Sequence, residues 1–172
     1  MISDVQHIDV EIDKLTNSIE NAITGDSFET EINLINREEL QSIKKGNGWL
    51  FDWKYEFEQR GRFIYKLTLK GNLSIVQGLV SISDYNDHMY MHLIESAPFN
   101  KGRKKVYIGV PGNLVAFVCK VSWDKGYDGI ISFISKTRLI EHYEKMLGAV
   151  HVGGHKMIVF PKEALLLINK YY

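Results

Sequence analysis

Only one cysteine, Cys119, occurs in the 172 residues, so no internal disulfide can form and a reducing compartment is the expected setting. Neither sign of charge is in excess, because 21 Lys and Arg balance 21 Asp and Glu. That balance argues against a nucleic-acid partner, since such binders usually carry a basic surplus. No apolar run approaches the roughly 20 residues that a membrane span requires. Met1-Ile2-Ser3-Asp4 opens no leader pattern of basic start and long apolar core. Repeats, linkers and low-complexity tracts are missing as well. What is present is a chain 45% hydrophobic, enough for one domain with a substantial core. The expectation is a soluble, cytoplasmic protein without membrane attachment.

The most informative stretch is 89–126. Residues 89–97 read Met-Tyr-Met-His-Leu-Ile-Glu-Ser-Ala, an apolar strand ended by Pro98 and Asn100. Lys101-Gly102-Arg103-Lys104-Lys105 follows, then Val106-Tyr107-Ile108-Gly109-Val110-Pro111-Gly112-Asn113, then the apolar run 114–121. A glycine turn feeding a helix start leaves backbone N–H groups without partners at the positive end of the helix dipole. Phosphate suits such a place. The stretch therefore reads as the holder of a phosphate-bearing cofactor between a strand and a helix.

Taken in order, residues 5–12 alternate loosely and predict a strand. Asp13 is placed to cap a short helix carrying Leu15, Ile19 and Ala22 and ending near Gly25. A strand over 28–35 precedes a helix with Asn36 as cap, Glu39 three residues on, Lys44 and Lys45 in the last turn and Gly46 after it. Alternation of Phe51, Trp53, Tyr55 and Phe57 predicts a strand over 50–57. Further strands over 63–69, 74–83 and 89–97, joined by short polar turns, read as an antiparallel meander. Beyond the glycine loop come a helix over 113–125, a central strand over 130–134 and a helix over 137–147 stopped by Gly148. Gly153-Gly154 turns a hairpin into a strand over 156–160, and Pro161 opens the last helix.

From about residue 63 to 160 the chain resembles the GNAT superfamily of acetyl-coenzyme A-dependent acetyltransferases. Val106-Tyr107-Ile108-Gly109-Val110-Pro111 stands where that family has Q/R-x-x-G-x-G/A before a helix. Tyr143-Glu144-Lys145-Met146-Leu147-Gly148-Ala149 is similar to the family's Tyr-Glu-Lys-Leu-Gly-Phe segment. Residues 94–102, Ile-Glu-Ser-Ala-Pro-Phe-Asn-Lys-Gly, resemble a subgroup with Ile-Glu, Pro, Asn and Gly before the phosphate loop. Two departures stand out: Val106 replaces Gln or Arg, and Pro111 replaces Gly or Ala and has no N–H to donate. The resemblance implies an α+β fold, a GNAT-like mixed, mostly antiparallel sheet flanked by helices, in a single domain over 1–172 with 1–60 less closely matched.

It also implies acetyl-coenzyme A as cofactor. Backbone groups around Ile94 to Ser96 would pair with the pantetheine arm as an added strand does. Gly109, Val110, Gly112, Asn113 and Leu114 would offer N–H groups to the pyrophosphate. Tyr143 matches the tyrosine that protonates the leaving thiolate. Its place on an apolar stripe with Leu139, Ile140 and Leu147 equally describes a packed core tyrosine. Glu95, near a strand end among apolar neighbours, is the candidate base for the acceptor amine. A solvent-facing carboxylate, or one paired with the 101–105 run, is the competing reading. Lys104 and Lys105 read either as phosphate contacts or as a solvated loop, and Asn100 carries no assigned role.

No metal site is expected. His88 and His92 are about 13 Å apart along a strand, and His151 and His155 have no cysteine or carboxylate nearby in sequence. Cys119 lies in an apolar helix and reads as packing. Trp49 and Trp53 suit either an acceptor groove or the core. The reading is thus an N-acetyltransferase working by direct transfer to a small-molecule or peptide amine, as a monomer or homodimer. A non-catalytic acyl-CoA-binding or interaction module stays open because of Val106 and Pro111. A toxin acetylating charged tRNA would want a basic groove that zero net charge does not supply.

Overall fold

The structure is a computed structural model and describes residues 18–172. Nine strands form one sheet in the order β6-β1-β2-β3-β4-β5-β7-β9-β8. The strands are β1 (Ser18–Asn21), β2 (Ser27–Leu34), β3 (Phe63–Leu69), β4 (Asn72–Asp84), β5 (Met89–Ser96), β6 (Tyr107–Ile108), β7 (Ile131–Ile134), β8 (Val150–Gly153) and β9 (Lys156–Val159). Four helices accompany them: α1 (Trp53–Glu58), α2 (Val110–Asp124), α3 (Ile140–Leu147) and α4 (Pro161–Tyr171). The first five strands run as an antiparallel meander, and β5 and β7 pair in parallel. The α+β expectation of a mixed, mostly antiparallel sheet with flanking helices holds. No helix among the described residues is long and apolar enough to cross a membrane.

Alternation along the strands divides the core in two. On one face Val80, Ile82, Met89, Met91, Ile131, Phe133, Met157 and Val159 pack against α2 and α4. Leu114, Val115, Val118 and Cys119 from α2 meet them, with Ala164, Leu167 and Tyr171 from α4. α2 is buried around most of its circumference, which explains why its sequence lacks a polar stripe. On the other face Ile64, Leu79 and Ala97 are covered by Ile35, Leu40, Ile43, Trp49 and Trp53. Each such side chain, fully buried, contributes on the order of 1.5–3 kcal/mol. Gly78 makes the seat for α2. A Cβ there would lie 2.6 Å from Val110 Cγ1 and 3.1 Å from the Glu95 carbonyl oxygen.

Most elements after residue 60 stand as expected, and the earlier ones need correction. The strand over 5–12 and residues 13–17 of the first helix lie outside the described residues. The rest of that helix is strand β1 and a turn. Asn21 makes the turn, its Oδ1 accepting from the N–H groups of Ile23 and Thr24 at 3.0 Å each. The Asn36–Glu39 capping box does form, with Glu39 N–H on Asn36 Oδ1 at 2.9 Å and Asn36 N–H on Glu39 Oε2 at 3.0 Å. It caps only a 3-10 turn, Glu39–Ser42. The chain must bend again so that Leu40, Ile43 and Trp49 all reach the same sheet face. Glu39 also binds the ammonium of buried Lys66 on β3.

The expected strand over 50–57 is instead helix α1. Asp52 caps it, accepting from Tyr55 N–H at 2.9 Å. Its aromatics do not share a face, since Trp53 is 0% exposed and Tyr55 57%. α2 begins three residues earlier than predicted, and the helix over 137–147 opens with a 3-10 turn, Thr137–Leu139. β6 was not foreseen. It lies inside the glycine loop and pairs with β1 at the sheet edge.

Candidate active site

Parallel pairing of β5 with β7 runs from Met89–Ile131 to Met91–Phe133 and stops there, while β5 continues to Ser96. The strands part, and a cleft of about 300 Å³ opens between them. Ile94, Glu95 and Ser96 form its β5 wall, Gly109, Pro111, Gly112 and Val115 its helix wall, and His142, Tyr143 and Met146 the facing side. Leu50 and Phe51 close the end toward α1.

Gly109 sits at φ +98° as the residue before α2, a conformation that β-carbon-bearing residues rarely adopt. Helix geometry leaves the N–H groups of Val110 and Gly112, in the first turn, without carbonyls to bond. Pro111 between them has none. Two of the expected donors are corrected. Asn113 N–H is taken by the Gly109 carbonyl at 3.0 Å, and Leu114, one residue further, bonds within the helix. The side chains of Val110, Asn113 and Leu114 are buried in the core and do not line the cleft. Asn113 Nδ2 donates to Thr30 Oγ1 at 3.2 Å.

Glu95 is 4% exposed. Its Oε1 accepts from Leu50 N–H at 2.5 Å and from Lys101 Nζ at 2.8 Å, and its Oε2 from Trp53 Nε1 at 2.7 Å. A carboxylate offers about four acceptor positions, so one is left, on Oε2. The carboxylate thus ties β5 to the segment that starts α1 while facing the cleft. A second buried carboxylate, Glu56 on α1, repeats the tie with Ser81 Oγ at 3.0 Å and Arg62 at 2.7 Å. Tyr143 packs edge-on against Phe133, ring centres 5.1 Å apart, and lines the same cleft. The structure therefore brings Glu95 and Tyr143 to one cavity from opposite walls.

Asn100, which carried no role, joins the two ends of the basic loop. Its Oδ1 accepts from Tyr107 N–H at 3.0 Å, and its Nδ2 donates to the Gln77 carbonyl at 3.1 Å and Oε1 at 2.9 Å. A buried amide with all of these bonds holds the loop on β4, next to Gly78. Its signal in the sequence was an asparagine just after a strand-ending proline, which a turn explains equally well. Of the basic run, Lys101 reaches the cleft and Lys104 is exposed outside it. Val106 is also outside, its carbonyl accepting from Ala22 N–H at 2.9 Å. Burial pushes the Cys119 thiol up to about 12, so it stays protonated and serves as packing. His88 bonds Asp87 and Ser132, and His92 bonds Ser83 Oγ at 2.7 Å.

No protein-family model matches the chain, and no curated protein matches its sequence. Solved structures do match. One is a Vibrio cholerae spermidine N-acetyltransferase carrying human-derived residues, with TM-score 0.56 and 13% identity over 80% of this chain and 98% of that one. A GNAT-family acetyltransferase from Staphylococcus aureus matches at TM-score 0.51 and 13% identity, over 77% of this chain and 99% of the other. A chain of the KacTA–DNA complex matches at 0.56 and 13%, over 82% and 99%. The fold is that of the GNAT acetyltransferases.

Proposed function

We propose that the chain is an acetyl-coenzyme A-dependent N-acetyltransferase acting by direct transfer on a primary amine. The observation that carries this is the cleft where β5 parts from β7, with an α2 N-terminus at one wall and Tyr143 at another. The residues present suit the cofactor. Val110 and Gly112 N–H groups, beside a side-chain-free Gly109, would hold the pyrophosphate. The β5 edge from Ile94 to Ser96, unpaired beyond Met91, would take the pantetheine amide as a strand takes a neighbour. When bound, acetyl-coenzyme A supplies an activated acetyl thioester: the amine nitrogen bonds the acetyl carbon as the carbon–sulfur bond breaks.

Two protons then have to move. A free alkylammonium has a pKa of about 10.4, so the acceptor must be held and its proton removed. Glu95 attracts the ammonium with its remaining Oε2 position and receives the proton, directly or through water. Tyr143 O–H gives a proton to the departing sulfur. Around these groups Leu50, Phe51, Val115 and Met146 give the cleft apolar walls.

Calorimetric titration with coenzyme A and an amine-panel assay of thiol release test the reading in sequence. Expected are coenzyme A binding and thiol release with at least one primary amine. Absence of coenzyme A binding overturns it. Binding with no release from any amine leaves the non-catalytic acyl-CoA-binding module, the reading that Pro111 at the second helical position favours.

A further inference from the structure

The carboxylate assigned to the acceptor amine already holds an ammonium of this chain. Lys101 Nζ donates to Glu95 Oε1 at 2.8 Å, and both residues line the first cleft. Among the described residues, Lys101 is the one lysine on its walls. The backbone there is fixed: Lys101 N–H bonds the Pro98 carbonyl at 3.3 Å, and the neighbouring Asn100 is anchored on Gln77. The amine has more freedom. A lysine carries its nitrogen on a flexible four-carbon stem, and the Lys101 side chain is 31% exposed against 2% for that of Glu95.

An ion pair by itself marks no site, since lysines meet carboxylates elsewhere in the molecule. Lys66 with Glu39, Lys70 with Glu29, Lys120 with Asp124 and Lys125 with Asp84 all lie away from this cleft. A second cleft, of about 620 Å³, gives a nearer contrast, with Phe51 lining both. Leu40, Ile43, Trp53 and Phe57 form its apolar floor, and Arg37, Lys44, Lys45 and Lys54 stand exposed around it. None of these four has a carboxylate partner among the described residues, and none reaches the cleft that holds Tyr143. Lys101 alone brings an amine, a carboxylate bonded to it and Tyr143 into one cavity.

We propose that Lys101 is a self-acetylation site, its amine an acceptor built into the cleft. The inference rests on the acetyltransferase reading. Glu95 takes one proton from the Lys101 ammonium and passes it to water. The neutral Nζ bonds the acetyl carbon of acetyl-coenzyme A as the carbon–sulfur bond breaks. The nitrogen's second proton replaces the one that Tyr143 gives the sulfur, so the products are an amide, a thiol and one free proton. Acetylation removes the charge of Lys101 and leaves Glu95 without its cation.

The test incubates the full chain with acetyl-coenzyme A and no added amine, and peptide mass spectrometry follows each lysine. Lys101 should gain acetyl about tenfold or more faster than Lys44 or Lys104, roughly 1.4 kcal/mol of barrier. Its rate constant should not depend on protein concentration, and its lead should vanish in guanidinium chloride. In a separate measurement, coenzyme A without an acetyl group should shield Lys101, and not Lys104, from acetic anhydride. Four results overturn the proposal: no lead for Lys101, a rate constant proportional to protein concentration, a lead that persists in the unfolded chain, or equal anhydride labelling with and without bound coenzyme A. Calorimetric coenzyme A binding and thiol release with an added amine decide the acetyltransferase reading. Both of these present without a Lys101 lead sink this proposal alone, while absence of coenzyme A binding sinks the two together.

Discussion

The two neighbouring clefts handle charge in opposite ways. In the first, the buried Glu95 finds three partners within the protein, Leu50 N–H, Trp53 Nε1 and Lys101. In the second, four basic side chains surround an apolar floor and none of them has a carboxylate among the described residues. A paired, buried carboxylate fixes geometry, because breaking such a pair strands a charge in low dielectric. Exposed cations at a rim keep their hydration instead. On the acetyltransferase proposal the first cleft would hold reacting groups still, while the second leaves its charges in water.

The sharpest way to break this comparison is Tyr143→Phe, which keeps ring and packing on Phe133 and removes only the hydroxyl. Turnover should fall about 100-fold, the low end for general acid catalysis, with coenzyme A affinity and melting temperature unchanged. Full activity in the stable variant would reduce Tyr143 to a packing residue and empty the first cleft of its proton donor.

Next in size is Glu95→Gln. An amide cannot satisfy three donors as a carboxylate does, so stability should drop by about 2 kcal/mol, in the range for hydrogen bonds to a charged group. Denaturant titration reads the loss. The neutral-pH rate, with any working acceptor, should fall as well and its rise with pH should shift. A variant with native stability would show that Glu95 is no clamp, and one with native rate that it is no proton acceptor.

Gly109→Val addresses the helix wall. A branched residue at φ +98° is strained and places carbon where, on the proposed reading, phosphate oxygens would approach. Coenzyme A affinity should weaken about tenfold, roughly 1.4 kcal/mol, by calorimetry on the folded variant. Unchanged affinity would move the pyrophosphate elsewhere.

The smallest effect expected is a pH dependence outside both clefts. Burial, helped by Arg62 and opposed by Glu56, holds the His92 imidazole below its ordinary value. The folded chain therefore refuses a proton that the unfolded chain accepts. That contribution to stability is present above about pH 6.5 and is lost as pH falls through the folded value. His92→Gln should flatten the stability profile below that pH, and an unaltered profile would assign the dependence to another group.

Much of this was legible in local patterns. β3, β4 and β5 are long alternating runs with polar turns between them, and α4 opens with proline. For such elements short-range periodicity and burial point the same way. The segment from 36 to 58 misleads for a physical reason. Phe51, Trp53, Tyr55 and Phe57 alternate like a strand, but only Trp53 among them is fully buried, and the Asp52 cap commits the backbone to a helix. Of the expected phosphate-loop donors, a helix that starts at Val110 leaves N–H groups outside its ladder at that residue and Gly112, not at Asn113 and Leu114.

The sequence by itself determined the α+β class, the meander and the glycine-to-helix junction, because each depends on residues close together in the chain, while Tyr143 became a candidate only through the family resemblance. Only the tertiary structure decided what those residues face. Glu95 meets Trp53 across 42 positions of chain, Asn100 meets Gln77 across 23, and Gly78 is small because α2 lies against it. The sum of charges is zero either way. Folding decides which charges cancel, because pairing depends on distance in space: Lys101 finds Glu95 and Arg62 finds Glu56, while among the described residues Arg37, Lys44, Lys45 and Lys54 have no carboxylate partner.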